Sequence, residues 1–165
     1  MLVLGVDPGT AITGYGLVHE RDDGLSLVEC GVVTTPSSQP LPERLQTIYR
    51  GLSDVIRKCK PEEAAVEELF FSRNVRTALS VGHARGVALL ALADAGLPIY
   101  EYKPLEIKQA VAGYGGADKQ QVQEMVRMLL NLDRVPQPDD AADAVAVAVC
   151  HIHSARMAAL IADAG

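Results

Sequence analysis

The chain begins with a short run of consecutive apolar residues, Leu2–Val6, that is followed by Asp7 and a Pro-Gly turn. A continuous apolar run is typical of a strand that is covered on both faces of a sheet. Two further apolar stretches, 13–19 and 25–33, flank the polar segment ERDDG, which favours a hairpin between them. The pattern therefore predicts a meander of three antiparallel strands at the start of the chain.

The rest of the chain predicts helices that alternate with short strands. Apolar residues recur at helical spacing between 45 and 59, and a long stretch rich in Ala and Leu, 74–95, ends at Gly-Leu-Pro. The remaining predicted elements are strands at 64–66 and 99–102 and helices at 104–112, 119–130 and 139–159. This order predicts a single α/β domain over residues 1–165, in which a mixed five-stranded sheet is flanked by helices.

Composition is that of an ordinary soluble domain, with 165 residues, 48% hydrophobic and 22% charged. The three cysteines, Cys30, Cys59 and Cys150, form no C-x-x-C pair, so they indicate neither a disulfide framework nor a zinc site. Reduced thiols suit a cytoplasmic location. We expect no apolar segment long enough to span a bilayer and no signal peptide, because the amino terminus lacks a basic region.

Acidic residues follow two of the predicted strands. Asp7 and Glu67 each stand at the carboxyl end of an apolar stretch, where open α/β sheets place their ligands. If these two strands are neighbours, both side chains lie at one edge of the sheet. The alternative, that each acid only marks the exposed end of a strand, stays open at this point.

The last predicted helix begins with further acids, in the segment DDAADAVAVAV. Asp140 and Asp143 are three residues apart, so on a helix they share a face, with Cβ atoms roughly 5–6 Å apart. Helix capping or the helix dipole can account for Asp139 or Asp140. It accounts less well for Asp143, which precedes the nearly all-apolar stretch 144–149 that is typical of a buried helix.

Convergence of Asp7, Glu67, Asp140 and Asp143 would require a cation. Two like charges about 4 Å apart repel by roughly 4 kcal/mol at an effective dielectric near 20, so without a cation some of these carboxyl groups would hold protons. Ligands that are all oxygen select Mg²⁺ or Mn²⁺ over zinc. The hypothesis is a site for two Mg²⁺ ions, with Mn²⁺ able to substitute, which activates water for phosphodiester hydrolysis.

Five segments in order resemble the RuvC family of bacterial Holliday junction resolvases. They are GVDPGTAITGYGLV, AVEELFF, ALSVGHARGVAL, EYKPLEIKQAVAGYGGADKQQVQEMVRMLL and DDAADAVAVAVCHIH. The resemblance extends from Leu2 to about Arg156. It implies a ribonuclease H-like fold, a homodimer, and Mg²⁺-dependent paired nicking of four-way DNA junctions in recombination and repair, together with the branch-migration proteins RuvA and RuvB.

The resemblance also implies roles for single residues. It implies catalytic and metal-binding roles for the four acids Asp7, Glu67, Asp140 and Asp143. Some relatives carry His at the position of Asp140, so Asp140 is the least certain ligand of the four, and the choice between Asp139 and Asp140 stays open. Other matched positions imply basic groups near the scissile phosphate, Lys108 and Lys119, and an aromatic that meets a base at the junction centre, Phe70.

A local basic bias offsets the net charge of −6, which by itself weighs against a polyanionic partner. No acidic residue occurs from Phe70 to Ala93, and phosphates respond to charge within about 8–10 Å. We expect one of the two Phe residues of FFSRNVR to stack on a base. The predicted DNA-binding residues are Phe70, Arg73, Asn74, Arg76, Lys108 and Lys119. His151 and His153 are interpreted as packing or solvent residues rather than ligands.

Two other classes of protein compete with this interpretation. An actin-like or sugar-kinase-related ATPase would use DPGT and GYG around nucleotide phosphates, but it needs a second lobe for which the chain is too short. A non-catalytic junction-binding module is the other alternative, and the presence of all four acids argues against it. If the protein is a dimer, our hypothesis places its interface on helix 74–95.

Overall fold

The computed structural model describes residues 1–68 and 74–164. Within them the predicted order of strands and helices is confirmed, and the last helix extends beyond its predicted end at residue 159. The elements are β1 (Leu2–Asp7), β2 (Ile12–Arg21), β3 (Gly24–Thr34), α1 (Leu41–Cys59), β4 (Glu63–Glu67), α2 (Val75–Asp94), β5 (Ile99–Tyr102), α3 (Pro104–Ala112), α4 (Lys119–Leu129) and α5 (Asp139–Asp163).

The strands form one five-stranded sheet in the order β3-β2-β1-β4-β5. β1, β2 and β3 are antiparallel, as expected for strands joined by short turns. β4 and β5 run parallel to β1, because α1 and α2 return the chain to the same end of the sheet before each of them. The carboxyl ends of β1 and β4 therefore lie next to one another.

Each face of the sheet has its own core. Alternation along β1 directs Leu4 and Val6 toward α1 and α2, whereas Val3 packs on the other face with α3, α4 and α5. All three side chains are fully buried. Because both faces are covered, the central strand reads as a continuous apolar run rather than an alternating one.

The first half of α5 lies directly on the backbone of β1 and β2. A Cβ atom added to Gly5 would be 2.0 Å from the carbonyl oxygen of Ala144, and one added to Gly14 would be 1.9 Å from that of Asp140. No side chain fits at such distances. The two glycines therefore let the acidic start of α5 approach the sheet more closely than any other residue would allow.

By length and composition, α5 could cross a membrane, contrary to our expectation that no segment could. The reason for its apolar composition is the core: every residue from Ala144 to Ile152 is buried. After this stretch the helix continues beyond the core, where Met157, Leu160 and Ile161 are exposed.

Candidate active site

Asp7 and Glu67 end the two central strands, β1 and β4. The parallel register pairs Val6 with Val66, so the next residue of each strand lies beside the other at the carboxyl edge. Val6 and Val66 point toward α1 and α2, so Asp7 and Glu67 point toward α5. Their side chains share a hydrogen bond. The structure thus brings both acids to one edge of the sheet.

Asp143 and Asp140 approach the same edge from α5. The negative charges of both act on the carboxyl group of Asp7, and that of Asp143 acts on Glu67 as well. Both aspartates are half-buried. The four acids predicted from the sequence therefore lie close enough to influence one another, although they come from three separate elements.

Capping of α5 does not explain its first two acids. The N-cap residue is Pro138, and no side-chain hydrogen bond caps the helix, so the interpretation of Asp139 or Asp140 as an N-cap is wrong. Both lie in the first turn, where negative charge still favours the helix dipole. Asp139 turns toward α4 and accepts a hydrogen bond from Gln123 Nε2 at 3.3 Å. Asp140 is the one of the pair whose charge reaches Asp7.

Negative charge at this edge is only partly balanced. Burial and the charges of Glu67, Asp143 and Asp140 raise the pKa of Asp7 to about 8. Burial and the charge of Asp143 raise the pKa of Glu67 as well. A hydrogen bond between two carboxyl groups requires that one of them is protonated. Without a cation, the cluster holds a proton at neutral pH.

Two lysines border the acids. Lys119, the first residue of α4, has its Nζ 3.0 Å from Asp143 Oδ2 and 3.4 Å from Asp139 Oδ2. Lys108 on α3 lowers the pKa of Glu67, against the stronger effect of burial. Both lysines line a cleft of about 220 Å³ whose walls also include Glu67 and Asp143. The cleft thus offers positive and negative groups to a phosphate and its counter-ion.

As the side chains stand in residues 1–68 and 74–164, no three His, Cys, Asp or Glu residues are arranged to hold one metal ion. Asp7 is hydrogen-bonded to Glu67, and Lys119 is paired with Asp143. The donor set nevertheless suits a hard divalent cation, because all its ligands are carboxylate oxygens. Burial and the excess of negative charge raise the pKa of Asp7, and such a cation would neutralise that charge.

A groove of about 490 Å³ leads from Asp140 along the start of α2. The turn between β1 and β2 forms one wall, and Arg76 and Ser80 contribute to the other. The two walls are tied together, because Thr10 Oγ1 donates a hydrogen bond to the Ser80 carbonyl oxygen at 2.5 Å. The groove therefore lies beside the acids, with an exposed arginine on its rim.

Of the DNA-binding residues predicted before α2, the structure describes only Asn74. Asn74 is the N-cap of α2, where its side chain accepts hydrogen bonds from the backbone N–H groups of Arg76 and Thr77. Phe70 and Arg73 lie outside the described residues. The sequence analysis missed the close-approach glycines, although two of them, Gly14 and Gly16, alternate along β2, where Gly16 lies opposite Gly5 and Gly14 lies opposite Asp7.

A mixed sheet of this order, with carboxylates at the carboxyl edge of its central strands and an acidic helix against them, has the ribonuclease H-like fold that many nucleases share. Comparison with known proteins agrees. The family model described as crossover junction endodeoxyribonuclease RuvC matches residues 3–151. The chain therefore belongs to the RuvC family, as its resemblance implied.

Individual relatives are similar along nearly their whole length. The chain is 64% identical over 156 residues to the crossover junction endodeoxyribonuclease RuvC of Chloroflexus aggregans, and the match covers 94% of each chain. The solved structure of Thermus thermophilus RuvC is similar with a TM-score of 0.89 at 40% identity, covering 96% of this chain and 97% of that one. A second structure of that protein, in complex with a Holliday junction substrate, gives a TM-score of 0.90 at 41% identity, covering 96% of each chain.

Proposed function

We propose that this chain resolves four-way DNA junctions by paired, symmetric nicks that leave 5′-phosphate and 3′-hydroxyl ends, in homologous recombination and repair. The observation that carries the proposal is the cluster of four carboxylates whose charges act on one another at the edge of a ribonuclease H-like sheet. A relative of 41% identity, the Thermus thermophilus protein, has been solved with a Holliday junction substrate.

Asp7, Glu67, Asp140 and Asp143 would hold the metal, and Mg²⁺ is the ion we assign, with Mn²⁺ as a substitute. When bound, two such ions supply an activated water and stabilise the leaving oxygen in phosphodiester hydrolysis. The protein must keep these four carboxylates ionised and directed toward the same point. Asp7 must then give up the proton that it shares with Glu67, which a neighbouring positive charge favours.

Lys119 is proposed to exchange one anionic partner for another. Its ammonium group is paired with Asp143, and a cation held by the acids would weaken that pairing by neutralising Asp143. From the start of α4 Lys119 then contacts the phosphate that is to be cut, and Lys108 provides a second positive charge from the other side of the cleft. Both groups stabilise the negative charge that develops on the phosphate during attack.

The DNA backbone is proposed to follow the groove beside Asp140, where Arg76 contacts a phosphate. Phe70, Arg73 and Asn74 are assigned to the same surface from the sequence alone. The chain carries a net charge of −6, so the affinity depends on these few local cations. Binding should therefore weaken steeply as the salt concentration rises.

A homodimer is proposed to form through α2. Val75, Leu79 and Leu90 are 70%, 60% and 53% exposed, and their spacing places them on one side of the helix. Two active sites related by a two-fold axis would cut two strands symmetrically. In sedimentation velocity, Leu79→Glu should convert the dimer to a monomer, and an unchanged sedimentation coefficient would put the interface elsewhere.

Three further parts of the proposal rest on family membership. The protein acts together with the branch-migration proteins RuvA and RuvB. It is cytoplasmic and has no membrane partner. Residues 1–165 fold as one nuclease domain.

The decisive experiment compares a mobile four-way junction with a linear duplex of matched sequence, in the presence of Mg²⁺, Mn²⁺ or EDTA. The wild type should produce paired nicks in the junction only, and Asp7→Asn should bind the junction without cutting it. Equal cutting of both DNAs would indicate a general nuclease. Tight binding without cutting in either metal would favour a non-catalytic junction-binding protein.

A further inference from the structure

The contact between β4 and the buried part of α5, which we name the β4–α5 seam, has a carboxylate of β4 at each end. Glu63 and Glu67 point to the same face of β4 and are four residues apart, or about 13 Å at 3.3 Å per residue. On α5, Asp143 and His151 are eight residues apart, or about 12 Å at 1.5 Å per residue. Asp143 acts on Glu67 at one end, and His151 contacts Glu63 at the other.

Because the two spacings nearly match, a single register of α5 on β4 satisfies both ends of the seam. The helix and the strand run in opposite directions, so His151 meets the start of β4 when Asp143 meets its end. A displacement of α5 along the strand would disturb both contacts at once. The position of Asp143 over the acids is therefore linked to the position of His151.

Both ring nitrogens of His151 are hydrogen-bonded, and the residue is only 2% exposed. Nδ1 is 2.7 Å from Tyr102 Oη, and Nε2 is 2.6 Å from Glu63 Oε2. An ionised carboxylate can only accept, so Nε2–H donates to Glu63, and Nδ1 is the atom paired with the Tyr102 hydroxyl. The ring also stacks on Tyr100, with centroids 4.3 Å apart. One side chain of α5 is thereby attached to both β4 and β5.

The other buried residues of α5 fix the position of the helix along β4 less strictly than His151 does. Its residues between 144 and 150 are Ala, Val and Cys, all buried. Apolar packing of this kind is non-directional and depends mainly on the area removed from water. Hydrogen bonds, in contrast, weaken steeply with distance and angle. A small slide of the helix would therefore cost the His151 contacts more than it costs the packing of any alanine.

We infer that His151 is a positioning residue, which fixes the register of α5 along β4 through Glu63 and Tyr102 and so sets the placement of Asp143 and Asp140 relative to Asp7 and Glu67. The inference rests on the proposed catalytic role of these acids. Glu63 and His151 lie at the opposite end of β4 from the acids, so their loss should slow cleavage while junction binding persists.

The test uses two substitutions of Glu63, because Glu63 is partly exposed and its variants are expected to fold. Glu63→Ala removes the acceptor for His151 Nε2–H, whereas Glu63→Gln keeps an oxygen that can accept. We expect Glu63→Ala to lower the single-turnover cleavage rate at saturating enzyme by about 10- to 100-fold, as for other groups that orient catalytic ligands. Its junction affinity, measured in EDTA, should stay within about twofold of the wild type, and Glu63→Gln should cut nearly as fast as the wild type.

Three controls separate register from general stability and from the catalytic assignment. Ile48→Val lies in the core on the other face of the sheet, and it should lower the melting temperature without slowing cleavage. His151→Leu, if it folds, should behave like Glu63→Ala. Asp7→Asn reports on the acids themselves, and if it cuts like the wild type the proposed site fails whatever Glu63→Ala does.

Other outcomes overturn the inference while leaving the proposed site intact. With Asp7→Asn inactive, wild-type cleavage by Glu63→Ala would show that His151 has no influence on the acids. The inference would also fail if Glu63→Gln were as slow as Glu63→Ala, because the hydrogen bond between His151 and Glu63 would then not be the cause. If Ile48→Val slowed cleavage as much as Glu63→Ala does, a general loss of stability would explain the slower cleavage of both variants.

Discussion

The two ends of the β4–α5 seam contain the same kind of group in different surroundings. At one end Glu63 accepts a hydrogen bond from a buried histidine that is itself bonded to a tyrosine. At the other end Glu67 faces Asp7 and Asp143, and burial together with the charge of Asp143 raises the pKa values of Glu67 and Asp7. A carboxylate with matched partners stabilises the fold, whereas carboxylates that repel one another mark the place where a cation or substrate acts.

The same substitution at each end gives the sharpest test of this contrast. Glu67→Gln should slow junction cleavage by at least about 1,000-fold, because the loss of several kcal/mol of metal-assisted stabilisation corresponds to about three factors of ten. Glu63→Gln changes the same atoms four residues earlier on the same face of β4 and should leave the rate nearly unchanged. Single-turnover rates on a four-way junction, with affinities measured in EDTA, check both.

If the two variants were equally impaired, the two ends of the seam would not differ in function, and the comparison would fail. If both variants instead cut as fast as the wild type, Glu67 would not be a metal ligand. The affinities in EDTA distinguish either result from a general loss of DNA binding.

Lys119 belongs to the charged end of the seam, and its removal should have the next largest effect. Lys119→Gln loses the positive charge that we propose contacts the scissile phosphate, so we expect cleavage about 100-fold slower, as for other groups that stabilise transition-state charge. Lys58 is a matched control, because it is also paired with a carboxylate, that of Glu29 at 2.7 Å, and lies on α1. If Lys119→Gln cut as fast as Lys58→Gln, Lys119 would be no more than a counter-ion for Asp143.

The sequence predicted one end of the seam better than the other, because only the acids at the charged end can be seen in a local sequence pattern. Asp7, Glu67 and Asp143 interrupt apolar stretches, so their unusual placement is visible along the chain itself. The contact between Glu63 and His151 joins residues 88 positions apart, and neither breaks a local pattern, so His151 was interpreted only as a packing or solvent residue. The burial of His151 agrees with packing, but its two hydrogen bonds depend on tertiary register, which no local pattern encodes.

The distance between α5 and the sheet could not be predicted from the periodicity of the sequence either. It gives a third prediction. Gly5→Ala places a Cβ within 2.0 Å of the Ala144 carbonyl oxygen, so α5 must move away from β1. We expect a loss of about 2–3 kcal/mol in the free energy of unfolding, as for an overpacked core, together with slower cleavage.

Gly116→Ala is the control for this prediction, because its Cβ would meet only ordinary contacts with Tyr114 at 3.5 Å. Its free energy of unfolding should change by less than about 1 kcal/mol. Urea denaturation of both variants measures the two values. Wild-type stability of Gly5→Ala would mean that α5 does not need to approach the sheet so closely.

The smallest expected effect is a gain in stability when the charged end of the seam loses a charge. The pKa of Asp7, raised by burial and its acidic neighbours to about 8 from 3.8, means that folding favours its protonated form. This contribution is complete below about pH 4 and is lost as the pH rises to about 8. In EDTA, Asp7→Asn should therefore be more stable than the wild type above pH 8, with a higher melting temperature, and the difference should be smaller near pH 5. Mg²⁺ should raise the melting temperature of the wild type more than that of the variant, because it binds the folded carboxylates. A difference in EDTA that is the same at both pH values would show that Asp7 is not held protonated by its neighbours.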